Sequence, residues 1–105
     1  MLFLGEVSST MAAIERLKAR LSDIIEPDFG LLDQLLCLEV LTYRDYNDIR
    51  SDNRAAWRRS EALLDLLTSE NNCNKFLEAL QLTDQQHVVN LITQNGGKNK
   101  IDIIS

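Results

Sequence analysis

The apolar residues of this chain recur at helical spacing along most of its length, and this periodicity limits the fold more than any other feature. In an amphipathic helix the buried residues return three, four or seven positions apart. An early example is the series Ile14, Leu17, Leu21 and Ile24 or Ile25. No segment of useful length alternates with the two-residue period of a strand, and four glycines and one proline leave few interruptions. The chain is therefore predicted to be all-α.

Capping residues and helix breakers divide the pattern into six helices. Pro27 ends the first helix, because the residue before a proline is disfavoured in the α region. Thr42 and Asp45 have the spacing of a capping box at the start of the third, with Asp in place of the usual Glu. The other predicted boundaries are Ser8, Ser9 or Thr10 before the first helix, Asp28 before the second, Ser51 or Asp52 before the fourth, Ser69 before the fifth, Thr83 before the sixth, and Asn95-Gly96-Gly97 after it. Short connections force neighbouring helices to pack antiparallel, so the predicted fold is a compact six-helix antiparallel bundle.

Helical phase also assigns the residues that face the core. The predicted inward positions include Phe29, Leu31, Leu32, Leu35 and Leu36 on the second helix, Tyr43, Tyr46 and Ile49 on the third, Ala56, Ser60, Leu63, Leu64 and Leu67 on the fourth, Cys73, Phe76, Leu77 and Leu80 on the fifth, and Val88, Val89, Leu91 and Ile92 on the sixth. Cys37 and Cys73, the only cysteines, lie inside such patterns. They are expected to be packed, reduced thiols of a cytoplasmic protein, and a disulfide is not required.

Length and net charge narrow the classes of function. A chain of 105 residues favours a single domain. A net charge of −5 argues against nucleic acid as a partner, because binding phosphate needs an electropositive face. No apolar run approaches the roughly 20 residues that cross a bilayer, and the apolar start Met1–Leu4 is cut short by Gly5 and Glu6. We therefore expect a cytoplasmic protein with no membrane partner and no nucleic-acid partner.

Groups suited to catalysis are scarce in the sequence. His87 is the only histidine, and helical phase directs it toward solvent, where a lone histidine is rarely a general base. Neither cysteine has the neighbouring histidine that activates a nucleophile. Two cysteines and one histidine are also too few ligands for a structural zinc site. The chain is predicted to be neither an enzyme nor a carrier of a metal or cofactor.

Charged residues are sorted by segment. From Glu26 to Ile49 there are six acids and one base, whereas Arg50 to Arg59 holds four arginines and one acid. Helical phase places Lys18 and Arg59 nearer the core. It directs outward Arg16 and Arg20 on the first helix, Arg54 and Arg58 on the fourth, and Asp45 and Asp48 on the third, while Asp28 and Asp33 lie on the second. Opposed patches suit a partner with complementary charges, although a solvated surface with helix-end charges accounts for the pattern equally well.

Three segments in this order resemble the caspase recruitment domain, a branch of the six-helix death-fold superfamily. GLLDQLLCLEVLTYRDYNDI (Gly30–Ile49) is similar to the second helix, turn and acidic third helix of that family. RRSEALLDLL (Arg58–Leu67) is similar to the basic fourth helix, and FLEALQLTDQQHVVNLI (Phe76–Ile92) to the last two. Each motif is common alone, but their order and spacing together are specific. Trp57 and the short turn Arg50–Asn53, which lacks a proline, depart from the family pattern.

The resemblance implies a domain at residues 11–93, with residues 1–10 as an N-terminal lead and 94–105 as a C-terminal tail or linker. Members of the family do no chemistry. They bind the same domain type on other proteins and assemble helical oligomers in apoptotic and innate-immune signalling. Their main contact sets a basic surface on the first and fourth helices against an acidic surface on the second and third. Carried over to this chain, the basic surface is Arg16, Arg20, Arg54 and Arg58, and the acidic surface is Asp28, Asp33, Asp45 and Asp48.

The implied partner is another caspase recruitment domain, carried by a caspase, a kinase or an adaptor. Both surfaces lie on one chain, and a head-to-tail contact of that kind yields open filaments when its rotation does not close. Self-association into helical filaments is therefore also expected. Two alternatives remain: a stand-alone decoy domain that inhibits such assemblies, and a helical nucleic-acid-binding bundle that uses the arginine row.

Overall fold

Seven α-helices make up the part of the chain that the computed structural model describes, residues 9–94. They are α1 (Thr10–Arg16), α2 (Lys18–Ile24), α3 (Leu31–Cys37), α4 (Tyr43–Arg50), α5 (Ala56–Asp65), α6 (Glu70–Leu82) and α7 (Gln86–Gln94). No strand occurs within residues 9–94, so the all-α class is confirmed for that part of the chain. Most of the predicted lead and tail, and the predicted stop at Asn95-Gly96-Gly97, lie outside the described residues.

The predicted first helix is divided at Leu17, and the prediction of six helices is wrong for this reason. Leu17 leaves the helical conformation, with φ −100° and ψ 10°, between α1 and α2. Its amide still donates to the Ala13 carbonyl, and its carbonyl still accepts from Leu21 N, so the chain bends without losing these hydrogen bonds. The two halves pack on different neighbours, α1 on α6 and α7, and α2 on α5. The bend at Leu17 lets each half meet its own neighbour.

The core lies where these helices meet and is built from apolar residues at helical spacing. The largest fully buried side chains include Phe76, Leu21, Leu31, Leu35, Leu63, Leu80, Ile92 and Val88. Gln85 is a buried polar residue whose amide group accepts from Glu26 N at 2.9 Å and donates to the Glu26 carbonyl at 3.0 Å. It satisfies backbone groups beside Pro27, where the helix has already ended, and so ties the α2–α3 connection to the start of α7.

Three predicted helix starts are confirmed. Ser9 Oγ accepts from a backbone N–H in the first turn of α1, and Ser69 Oγ does the same for α6. Thr42 and Asp45 form the predicted capping box at the start of α4. Thr42 Oγ1 accepts from Asp45 N at 3.0 Å, and the Asp45 carboxylate accepts from Thr42 N at 3.2 Å. Each of these side chains satisfies a donor that the helix itself leaves unpaired.

The prediction that Asp28 caps the second helix is wrong. α3 begins after Gly30, whose φ of +95° lies in the left-handed region that glycine tolerates. The Asp28 carboxylate instead accepts two hydrogen bonds from Arg59. Arg59, 31 residues further along the chain, therefore binds this carboxylate in place of the backbone N–H groups at the start of α3.

Two further predicted starts are also wrong. α5 begins at Ala56 rather than after Ser51 or Asp52, and α7 begins at Gln86 rather than after Thr83. At both positions the predicted capping side chain forms hydrogen bonds with other groups instead. Asp52 accepts from the backbone and side chain of the residue two positions on, and Thr83 Oγ1 donates back to carbonyl oxygens of α6.

α3 and α6 end in a motif that usually requires glycine. Glu39 and Asp84 follow these helices with φ of +65° each. After α3, Glu39 N donates to the Leu36 carbonyl and Val40 N to the Leu35 carbonyl, which is the Schellman pair of hydrogen bonds. The same pair closes α6. Because neither residue is glycine, these two helix ends lack the residue that usually marks them in a sequence.

Four positions predicted to face the core are exposed instead. Phe29 in the turn before α3 is 76% exposed, and Tyr43 at the start of α4 is 69% exposed. Ala56 begins α5, Cys37 ends α3, and both are exposed. Tyr43, Ala56 and Cys37 are terminal residues of their helices and Phe29 lies in a turn, so helical phase alone does not decide whether these side chains are buried. Cys73 is buried as predicted, and desolvation raises the pKa of its thiol to about 11.

Candidate interaction surface

α2 and α5 pack against each other in antiparallel directions, and two of the four predicted basic residues, Arg20 and Arg58, lie on them. Lys18 Nζ donates to Asp65, which joins the first residue of α2 to the last residue of α5. Arg59, near the start of α5, reaches Asp28, which follows the end of α2. These two ion pairs lie at opposite ends of the α2–α5 contact.

Arg59 and Asp28 neutralise one another inside the chain. Arg59 Nη1 and Nη2 each donate to a separate oxygen of Asp28 at 2.6 Å, and the Arg59 side chain is only 12% exposed. Sequence reasoning placed Arg59 near the core, and this placement is confirmed. The hydrogen bonds from Arg59 lower the pKa of Asp28. A partner that used Asp28 would have to compete with this bidentate pair.

Arg54 lies in the α4–α5 connection rather than on a helix. Its backbone N–H and its guanidinium both donate to Asp52, with the shortest bond 2.6 Å between Nη2 and Oδ2. The side-chain and backbone hydrogen bonds from Arg54 lower the pKa of Asp52 to about 2. Arg54 therefore shapes the connection that leads into α5, and its charge is largely balanced by Asp52.

Arg58 presents its charge on the exposed start of α5. Its guanidinium carbon lies 4.5 Å from the centre of the Trp57 ring, which is the geometry of a cation–π contact. Glu61, one turn on, approaches Arg58 only to 3.8 Å, and both side chains are about half exposed. Such a pair contributes little to stability, so Arg58 retains an accessible positive charge.

Arg20 lies apart from Arg58. It lines a groove of about 370 Å³ between α2 and α7, together with Ile24, His87 and Asn90. Lys18, two residues earlier, instead contacts Asp65 on α5. The structure thus turns Arg20 toward α7, and the basic residues predicted on the first helix do not all share one face with α5.

Arg16 is the exposed last residue of α1. A cation at this position interacts favourably with the carbonyl end of the helix dipole. Its side chain lies before the bend at Leu17, whereas Arg20 lies after it. The bend therefore places these two predicted basic residues on separate helices.

On the acidic side, α3 and α4 pack against each other and bring Asp33 to Tyr46. The Tyr46 hydroxyl donates to Asp33 at 2.5 Å, and this hydrogen bond raises the pKa of Tyr46. Arg50 lies 5.8 Å from the centre of the Tyr46 ring. These three residues and Asp28 line a cavity of about 150 Å³. Asp33 therefore belongs to a local polar cluster as well as to the predicted acidic surface.

Asp45 and Asp48 differ in what they do for α4. Asp45 is half-buried and is held by the capping box with Thr42. Asp48 is exposed, and no ion pair engages it within residues 9–94. Of the four predicted acids, Asp48 has the most freely available charge.

Sequence reasoning missed the internal pairs that consume much of the predicted charge. Lys18 and Arg59 were placed near the core flank, which was a partial signal of a structural role. Their acidic partners lie 47 and 31 residues away, so no local spacing identifies them. The Tyr46–Asp33 bond spans two helices and was equally invisible.

The described helices, α1 to α7, are all too short or too polar to cross a bilayer. Within residues 9–94, no three His, Cys, Asp or Glu side chains are grouped so that they could hold a metal ion.

A helical bundle whose notable features are exposed charges and an exposed tryptophan has the character of an interaction domain. The family model of the caspase recruitment domain matches residues 11–95, and the chain belongs to this family. The family consists of protein-interaction domains rather than catalysts, and the chain is accordingly a homotypic interaction module. A search of curated proteins and a search of solved structures each found no match.

Proposed function

We propose that this domain recruits, or co-oligomerises with, other caspase recruitment domains in cytoplasmic apoptotic or innate-immune signalling. The partner domain would be carried by a caspase, a kinase or an adaptor. The observation that supports the proposal is the pair of exposed, opposite charges on α5 and α4. Arg58 and Asp48 remain accessible after the internal pairs of the bundle are formed. They are the residues on which the contact depends most.

The two charges belong to different surfaces, so contact between copies is head-to-tail. Arg58 of one domain meets an acidic α4 surface, and Asp48 of the same domain is left to meet a third copy. Such a heterologous contact propagates into an open filament when its rotation does not close. Asp45 contributes negative potential beside Asp48, although its first role is the capping box.

The free energies of ion pairing and of association show why a stable assembly needs several contacts on each subunit. An exposed ion pair contributes roughly 0.2–1 kcal/mol and is screened by salt. Association also costs several kcal/mol of translational and rotational freedom, on the order of 4–15 kcal/mol. One such pair selects the partner and speeds encounter. Stable assembly requires several contacts on each subunit.

Charge reversal in two separate variants tests the contact. In Arg58→Glu the altered α5 surface repels Asp48, and in Asp48→Arg the altered α4 surface repels Arg58. Each variant alone is expected to self-associate less than wild type, by roughly fivefold or more. When the two variants are mixed, every α4–α5 contact between unlike variants is attractive, so association is expected to recover through alternating copies. Sedimentation velocity at low salt measures all three samples.

Glu78→Arg is the matched control for Asp48→Arg, because it makes the same charge change at an exposed position on α6. It is expected to leave association at the wild-type level. The proposed contact is wrong if the control weakens association as much as Asp48→Arg does, or if mixing the two reversal variants restores nothing.

A further inference from the structure

Trp57 is an exposed aromatic residue with no role in the core. It is the only tryptophan in the chain, it lies at the start of α5, and it is 43% exposed. Its ring supports the guanidinium of Arg58 at 4.5 Å. Tryptophan and arginine are among the residues most enriched where binding energy concentrates in protein interfaces. Trp57 and Arg58 together therefore have the composition of an interface anchor.

The contact with Arg58 also decides what a partner would touch. Because the guanidinium lies on the indole, a carboxylate that pairs with Arg58 comes within reach of the ring. A partner surface that presents this carboxylate is therefore in position to cover the exposed part of Trp57. The stacking holds both side chains in one arrangement before binding, so fewer rotamers are lost when the contact forms.

We infer that Trp57 is the apolar anchor of the Arg58 contact and that it packs on the α4 surface around Asp48 of a second copy of this chain. This inference rests on the proposed function and adds its apolar component. Charge complementarity selects the occupant: Arg58 on α5 is exposed with an internal acid no nearer than 3.8 Å, and Asp48 on α4 is exposed and takes part in no ion pair within residues 9–94. An exposed ion pair alone is too weak to hold two copies together. The indole of Trp57, which would be buried when the contact forms, supplies the further attraction.

Within residues 9–94, the other large exposed apolar side chains are placed differently. Phe29 lies in the α2–α3 connection and Leu82 at the end of α6. Tyr43 stacks on Tyr46 at the start of α4, with ring centres 6.3 Å apart. None of them is stacked with an accessible base, so none is expected to anchor this contact. Phe29 serves as the matched control because it is more exposed than Trp57.

The fluorescence of the full chain reports this contact directly, since its only tryptophan is the anchor itself. A trace of wild type is titrated with Trp57→Phe chains, which contribute no tryptophan emission but keep Asp48. The emission of the trace is expected to shift to shorter wavelength and to become less accessible to acrylamide. Titration with the double variant Trp57→Phe, Asp48→Arg is expected to leave the emission unchanged.

Variants measure the contribution of the anchor. Trp57→Ala is expected to weaken self-association about tenfold or more, as truncation of a central tryptophan does in other interfaces. Phe29→Ala is expected to leave it within about twofold, because surface positions outside a hot spot contribute little. Far-ultraviolet circular dichroism establishes that both variants keep the helical fold of wild type.

The outcomes separate this inference from the proposed function. If copies associate and the Arg58→Glu and Asp48→Arg variants behave as expected, but tryptophan emission stays unchanged, the anchor is wrong and the proposed function stands. If emission shifts equally with both titrants, Trp57 packs on a surface other than that of Asp48, and the inference is overturned. If wild type does not self-associate at any concentration, the second copy is not the occupant.

Discussion

The carboxylate of Glu70 holds the start of α1 against α6. It accepts from Ser9 Oγ at 2.8 Å, from Thr10 N at 2.9 Å and from Met11 N at 3.0 Å. Desolvation raises the pKa of Glu70, but the hydrogen bonds from Met11, Ser9 and Thr10 together outweigh it, so the net pKa is lowered. One side chain therefore satisfies two backbone donors at the helix start and docks α1 on its neighbour.

We predict that Glu70→Gln lowers the free energy of unfolding by about 1 kcal/mol at neutral pH, since a neutral amide accepts these bonds less well. A lowered folded-state pKa means that the carboxylate stabilises the fold above its unfolded pKa of about 4.3. That stabilisation is lost as the pH falls through the lowered value. Urea denaturation should therefore show the difference between Glu70→Gln and wild type shrinking below about pH 4. A difference that stays constant from pH 7 to pH 3 would contradict this role.

Single residues also show where the sequence was sufficient and where it was not. The Thr42–Asp45 capping box was readable because its spacing is local and its chemistry is specific. Asp28 carried an equally good local signal for a cap, yet Arg59 binds it in the structure. A bidentate guanidinium forms two charge-assisted hydrogen bonds to the carboxylate and so competes with the backbone N–H groups of a helix start. No local pattern reveals that such a ligand is 31 residues away.

At the scale of helices, the sequence located the elements better than their ends. The bend at Leu17 follows from the separate neighbours of α1 and α2, which only the packed bundle defines. The late start of α5 follows from the Asp52–Arg54 clamp in the preceding connection. α3 and α6 end shortly before Glu39 and Asp84, where glycine would have been the usual marker. Packing sets the boundary at Leu17, whereas local hydrogen bonds that the residue types do not announce set the others.

The left-handed backbone conformation of Glu39 lowers the stability of the fold, and a substitution can remove this strain. Residues with a side chain are disfavoured at positive φ, whereas glycine adopts it freely. Glu39→Gly is therefore expected to raise the free energy of unfolding by about 0.5–1 kcal/mol. Gly30→Ala imposes the reverse change before α3, where φ is +95°, and should destabilise by about 1–2 kcal/mol.

Space around Gly30 makes the second variant a clean measure of backbone strain. An added Cβ there would lie 3.5 Å from Thr83 Cγ2, an ordinary contact that requires no movement. Urea denaturation of both variants gives the two free energies. If Glu39→Gly destabilises α3, interactions of the Glu39 side chain outweigh its backbone strain.

At the scale of the whole molecule, the sorted charges serve two purposes. Three basic residues form ion pairs with acids of the same chain. Lys18 and Arg59 pair across the α2–α5 contact, and Arg54 pairs with Asp52 in the connection before α5. Arg58 and Asp48 are left facing solvent. The sequence predicted which segments carry each sign, but only packing shows which charges are already used. We therefore propose that the contact depends mainly on Arg58 and Asp48 among the eight residues that the resemblance implies.

Salt is expected to weaken self-association more than it weakens the folded structure. The Debye length falls from about 10 Å at 0.1 M to about 3 Å at 1 M salt, and exposed pairs are screened far more than buried ones. Self-association through Arg58 and Asp48 is therefore expected to weaken by roughly twofold to fivefold per contact over this range. The urea midpoint of unfolding should move less, because the fold depends on its buried apolar core rather than on exposed ion pairs. Sedimentation velocity measures the self-association, and urea denaturation of the same samples measures the midpoint of unfolding. If self-association strengthens as the salt concentration rises, the apolar surface of Trp57 rather than the charge pair dominates the contact.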